Sequence, residues 1–246
     1  MLKDKDIREP LFEFLEIEYG KTRIIEEKMM GQSRADVIMV IASALVGLEI
    51  KSDADTYARL ESQVKDYDKY FDYNIVVVGS SHAMHVEDHV PDYWGIITVD
   101  EIDEKPDFYF LRRPALNKKM KLNRKLELLW RPELAILLKK FNMPSYEAKS
   151  KIFVRKKLIE WTKMPLTKVD ITRIKRAAKA EGIEPVIPES RISPDDLNKE
   201  ISELLFERDY EKMLADIAEY RRQHSPRRKG PKKSTRIKRV RRLSKK

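Results

Sequence analysis

The chain has 246 residues, 41% hydrophobic and 37% charged, with a formal net charge of +10 and no cysteine. That length suits one compact domain with an extension or two modest ones, and the missing thiols exclude disulfides, thiolate zinc sites and cysteine nucleophiles. No apolar run approaches the roughly 20 residues of a membrane span, the first residues lack a secretory apolar stretch, and the sparse glycines form neither a Walker loop nor a dinucleotide fingerprint. In chain order, Ile7, Leu11, Phe14 and Leu15 recur at helical spacing and predict an amphipathic helix over residues 6–18. Three short apolar segments follow, Thr22–Met30, Ala35–Ile41 and Ala44–Lys51, the second a β-branched run suited to a strand buried on both faces. Asp55 and Thr56 can cap a helix to Phe71. Ile75–Val78 reads as a buried strand, His82–His89 as a short helical piece and Gly95–Val99 as the last strand. The order α-β-β-β-α-β-α-β predicts an α/β fold, a mixed sheet with helices on its faces.

After Pro114 only helices are expected: Leu122–Trp130, Pro132–Phe141, Ser145–Thr162, Val169–Ala180 with a Thr167/Asp170 capping box, and a long one from Ser193 to Arg222. Charge divides the chain in the same way. Residues 1–115 carry 14 basic and 24 acidic side chains, residues 116–224 carry 25 and 17, and residues 225–246 carry 12 and none. The last block reads as a basic disordered tail that interacts with polyanions. The expected organisation is therefore a core over 1–115, a basic helical region over 116–182, a linker and amphipathic helix over 183–224, and the tail over 225–246. A cytoplasmic protein is expected.

The chemistry-bearing residues are Asp36, Glu49 and Lys51. Strand alternation puts Glu49 and Lys51 on one face. A turn centred between Ala42 and Ser43 places Asp36 directly opposite Glu49, with Cβ atoms about 4.5–5.5 Å apart. Two carboxylates that close call for a cation, and hard oxygen ligands at a half-open site suit Mg²⁺ or Mn²⁺. A neighbouring lysine can orient water or stabilise charge developing on a phosphate. The competing reading is an ordinary ion cluster on a β-hairpin. Gln63 and Tyr67 share a helical face over the sheet, and Glu9, Glu13 and Glu16 on the first helix are further acids that could approach a metal.

Asp36, the run Gly47-Leu48-Glu49-Ile50-Lys51-Ser52-Asp53, and Gln63-x-x-x-Tyr67 together resemble the PD-(D/E)xK nuclease superfamily, the last element being similar to that of its RecB-like and archaeal Holliday-junction-resolvase-like branches. Asp6-Ile7-Arg8, Arg59-Leu60, Val76-Val77-Val78-Gly79, Pro91 with Trp94-Gly95, and Leu128-Leu129-Trp130-Arg131 extend the resemblance, over residues 5–180, to a group of bacterial and prophage proteins. Ala35 stands where the name-giving proline would be. The resemblance implies a restriction-endonuclease-like core that hydrolyses DNA phosphodiesters with Mg²⁺ or Mn²⁺, in repair, recombination or mobile-element biology. Asp36 and Glu49 would be metal ligands, Lys51 the catalytic lysine, and Gln63 and Tyr67 its orienting or phosphate-contacting partners. Glu13 maps best to the family's helix-one acid, with Glu9 as competitor. A non-catalytic nucleic-acid-binding or adaptor protein on the same fold is the alternative.

DNA is the expected partner, held by backbone contacts without sequence reading; no membrane role is expected, and a homodimer is one option for the oligomeric state. Residues 149–179 carry eleven basic side chains, among them Arg155, Lys156, Lys157 and Arg173. The tail adds Arg227, Arg228, Lys232, Arg236, Arg239 and Arg241. His82, His85 and His89 would share one face of a helix, a polar face or, with a fourth ligand, a zinc site.

Overall fold

The computed structural model describes residues 2–224, so the tail and its arginines and lysines lie outside the described residues. Contacts divide the chain into one unit over Met1–Glu207 and a second from Arg208 onward. The first is built on a six-stranded mixed sheet in the order β1-β2-β3-β4-β5-β6: β1 Arg23–Met30, β2 Ser33–Ile41, β3 Ala44–Lys51, β4 Tyr73–Gly79, β5 Gly95–Ile102 and β6 Lys105–Arg112. β1, β2 and β3 pair antiparallel, β3, β4 and β5 parallel, and β5 and β6 antiparallel. The parallel pairs require crossovers. The first is a 3₁₀ turn (Tyr57–Arg59) running into α2 (Leu60–Tyr70), the second α3 (Ser80–Ala83) and a 3₁₀ turn (Val86–His89).

One face of the sheet is covered by α1 (Asp4–Tyr19), which buries Ile7, Leu11 and Leu15 against Val37, Met39, Val46, Leu48, Ile50, Ile75, Val77, Ile97 and Val99. The other face receives α2 and the later helices: α4 (Leu122–Lys125), α5 (Arg131–Lys140), α6 (Lys151–Trp161) and α8 (Pro194–Phe206) place Leu134, Leu137, Val154, Leu158, Leu197 and Ile201 in a single cluster with Leu45, Tyr67, Phe71 and Trp94. α7 (Lys168–Glu181) is a more exposed helix, closed at its start by the expected Thr167/Asp170 box and at its end by Gly182 in the left-handed conformation, φ 70°. A sheet buried on both sides explains why β3 has no exposed position, even at Glu49 and Lys51.

Three expectations are corrected. β6 adds a strand to the expected order, disguised in the sequence by Pro106 between Lys105 and Asp107; as an edge strand it tolerates proline and exposes every second residue. The long helix after Ser193 ends at Phe206. A separate helix, α9 (Tyr210–His224), begins after Asp209, whose carboxylate accepts the Lys212 amide proton at 2.9 Å and so supplies a fresh N-cap within the second unit. The histidine helix is interrupted, so His82, His85 and His89 do not share one helical face. No described helix is long and apolar enough to cross a membrane.

Candidate active site on the β2–β3 hairpin

The hairpin register runs from Ile41 opposite Ala44 to Val37 opposite Leu48. The paired register stops there; the next residue, Asp36, accepts the Ile50 amide proton on its Oδ2 at 3.0 Å, and its carboxyl lies near enough to Glu49 to feel that charge. Above β3 lies α2, held close because Gly47 has no side chain. A Cβ there would sit 2.2 Å from a ring carbon of Phe71 and 2.7 Å from one of Tyr67. With the helix that near, Gln63 and Tyr67, one turn apart, both reach the strand.

Glu49 is the hub. Its side chain is buried, and its Oε1 accepts from Lys51 Nζ at 2.6 Å and from Gln63 Nε2. Its Oε2 accepts from the Tyr67 hydroxyl at 2.7 Å. The hydroxyl also lies 3.1 Å from the Leu48 carbonyl and accepts the Asp36 amide proton at 3.2 Å, so one phenol holds both strands and the carboxylate between them. Lys51 Nζ donates a second bond to Gln63 Oε1 at 3.1 Å. Burial, followed by the charges of Glu49 and Asp36, raises the Tyr67 phenol far above its ordinary range, so it stays a proton donor. Asp36 is half-buried, and burial together with the Glu49 charge pushes its carboxyl up to about 7.

The structure thus brings Asp36, Glu49, Lys51, Gln63 and Tyr67 into one cluster. Glu13 is not part of it. α1 packs on the opposite face of the sheet, and Glu13, like Glu9 and Glu16, points from it into solvent. Among the described residues no group of three or more His, Asp or Glu is arranged to hold a metal. The element of α1 that does reach the cluster is Arg8. Its guanidinium donates to the Asp36 carbonyl at 3.3 Å, Asp4 at 2.8 Å and Glu26 at 3.1 Å. Its place beside buried Ile7 was the available signal. After β3 and β4, the ring of Tyr57 contacts those of His82 (4.9 Å) and His89 (4.1 Å), and Ser81 bonds Asp53 at 2.5 Å beside Gly79.

The basic residues of α6 and α7 are mixed in their surroundings. Arg155 pairs with Glu127 at 3.3 Å and Lys157 with Glu160 at 2.6 Å, whereas Lys156 and Arg173 are exposed. A divalent cation fits the acidic pair in its donor chemistry. Glu49 has accepted three of about four lone-pair positions, and Asp36 Oδ1 takes no hydrogen bond among the described residues. Mg²⁺ is commonly held by one or two carboxylates, with water and substrate phosphate completing the shell.

Residues 1–200 match the family model described as Bacteriophage P4 protein cII. No curated protein matches. Among solved structures the chain matches that of Pyrococcus furiosus SfsA in complex with Ca²⁺ at 13% identity and a TM-score of 0.27. That match covers 45% of this chain and 60% of the other.

Proposed function

This chain belongs to the Bacteriophage P4 protein cII family, and we propose that it is a divalent-metal-dependent phosphodiesterase acting on DNA, of the PD-(D/E)xK type. The observation that carries the reading is the gathering of Lys51, Gln63 and Tyr67 on Glu49, with a second carboxylate beside it on the hairpin that burial has pushed towards neutrality. A structural ion pair needs one acid per base. Here an additional carboxylate sits at the open side, where a cation would offset the repulsion.

The chain's own groups divide the work. Asp36 and Glu49 would hold the cation, which supplies Lewis acidity and charge neutralisation at the phosphate. Lys51 has three donors, two of them engaged by Glu49 and Gln63. The third makes no hydrogen bond among the described residues and would bond an attacking water or a phosphoryl oxygen as its charge grows. Gln63 turns Lys51 in that direction, Tyr67 fixes the spacing of the two carboxylate strands, and Arg8 braces the backbone at Asp36.

The test is cleavage of labelled linear, branched and single-stranded DNAs in Mn²⁺ or Mg²⁺, with Mn²⁺ binding followed by calorimetry. Wild type should cut at least one substrate. Lys51→Ala should lose on the order of 100-fold or more in rate, and Asp36→Asn, which preserves shape, should lose both Mn²⁺ binding and cleavage. Unchanged cleavage by either variant would overturn the assignment. A second reading, a DNA-binding protein that retains the fold without cutting, draws on the near-complete burial of Glu49 and Lys51, 1% and 4% exposed. It expects no Mn²⁺ binding at the carboxylate pair and no cleavage of any of these DNAs.

A further inference from the structure

Away from the acidic pair, the C-terminal half of α2 and residues 118–121 enclose an open groove lined by Lys65, Lys69, Lys118, Lys119 and Lys121. Three acids neighbour it. Glu61 pairs with Lys65 at 2.6 Å and Asp66 with Lys69 at 2.9 Å. Asp68, 3.4 Å from Lys119, is nearly buried and already accepts from Tyr93 and Trp94. Lys118 and Lys121 are exposed and form no ion pair among the described residues.

Lysines often gather at a helix C-terminus to satisfy its last carbonyls. That role is already filled here. Asn117 Nδ2 donates to the Asp68 and Phe71 carbonyls at 2.9 and 2.8 Å, and the Lys121 amide donates to the Lys69 carbonyl at 3.0 Å. The same bonds stitch residues 117–121 to α2, so the Lys118 and Lys121 stems rise from a fixed backbone with ammonium groups that form no ion pair among the described residues. The groove, about 610 Å³ in volume, has the size of a small-ligand pocket. Small-ligand pockets are mainly apolar, however, whereas a row of ammonium point charges suits successive backbone phosphates.

We propose that this groove binds the phosphate backbone of DNA. Its place on the substrate path rests on the nuclease reading; its binding of DNA does not. Gln63 and Lys69 lie six residues apart on α2, about 9 Å along the axis at 1.5 Å per residue. That is about three steps of a duplex at 3.4 Å each, so a strand seated at the acidic pair passes the lysines within a few nucleotides. Residues 1–115 hold 24 acidic against 14 basic side chains, and a polyanion approaching them needs such a positive track.

The full-length protein is tested by fluorescence anisotropy with a duplex of about 30 base pairs in EDTA, from about 50 to about 200 mM salt. Lys118→Glu/Lys121→Glu is compared with Lys105→Glu/Lys139→Glu, an equal charge change at exposed positions elsewhere. The groove variant should bind at least tenfold more weakly than the control at the upper salt, and its log–log salt slope should be shallower by about 1.8, at 0.9 per phosphate contact. Equal affinities and slopes for the two variants would overturn the proposal. Since EDTA removes the cleavage step, a groove effect without Mn²⁺-dependent cutting leaves the groove standing and the nuclease reading refuted; cutting without a groove effect does the reverse.

Discussion

Two buried lysine–carboxylate pairs lie on the same side of the sheet and differ in one respect. Lys125 Nζ bonds Asp72 at 2.5 Å, Asn198 at 2.6 Å and Ser202 at 2.9 Å, while Asp72 also accepts from Asn198 at 2.8 Å and from the Leu45 amide at 2.7 Å. All three ammonium donors are used, the charges cancel, and the pair ties α4 and α8 to the sheet. Lys51 and Glu49 begin in the same way but face Asp36, so their cluster holds one acid too many and one donor to spare. Full satisfaction marks a strut. The surplus acid, half-buried Asp36, is the group the proposed cation would neutralise.

Removing the lysine of the strut should produce the largest effect. Lys125→Met strands Asp72 in the core and should cost about 3–5 kcal/mol in urea unfolding, with Mn²⁺ affinity of the folded protein unchanged; a parallel loss of Mn²⁺ affinity would join the two clusters functionally.

Asp36→Asn should act in the opposite direction in metal-free buffer. The Asp36 carboxyl, at about 7 in the folded chain, lies above its ordinary 3.8, so the native state holds a proton that the unfolded chain releases. Below about pH 4 both states are protonated and the side chain costs nothing; as pH rises through 7 the native state comes to carry the full repulsion. The asparagine variant should therefore be more stable than wild type by on the order of 2–4 kcal/mol at pH 8, with the gain vanishing near pH 4. A pH-independent difference would show that the acid is not held at raised affinity for its proton.

Gly47→Ala should have the smallest effect, about 1–3 kcal/mol of overpacking. Pushing Phe71 and Tyr67 off β3 should also lengthen the Tyr67–Glu49 contact and weaken Mn²⁺ binding. Stability loss with full Mn²⁺ affinity would show that α2 can rise without disturbing the cluster.

The cluster was legible because its geometry is local. A short hairpin fixes register, strand period fixes which side chains share a face, and one helical turn separates Gln63 from Tyr67. Arg8 and the placement of Glu13 were not legible in this way, since the face of the sheet that α1 covers depends on how α1 docks. Asp72 and Lys125, 53 positions apart, form no sequence pattern at all.

Residue order alone determined the mixed sheet, the placing of Asp36, Glu49 and Lys51 on one hairpin, and the Thr167 cap, all consequences of backbone periodicity and hydrogen bonding between near neighbours. Tertiary structure decided that β6 closes the sheet edge, that α1 offers Arg8 rather than a glutamate, and that residues 117–121 fold onto α2 to raise a row of lysines. Those outcomes depend on contacts between distant segments, whose energies are set by packing and burial rather than by spacing along the chain.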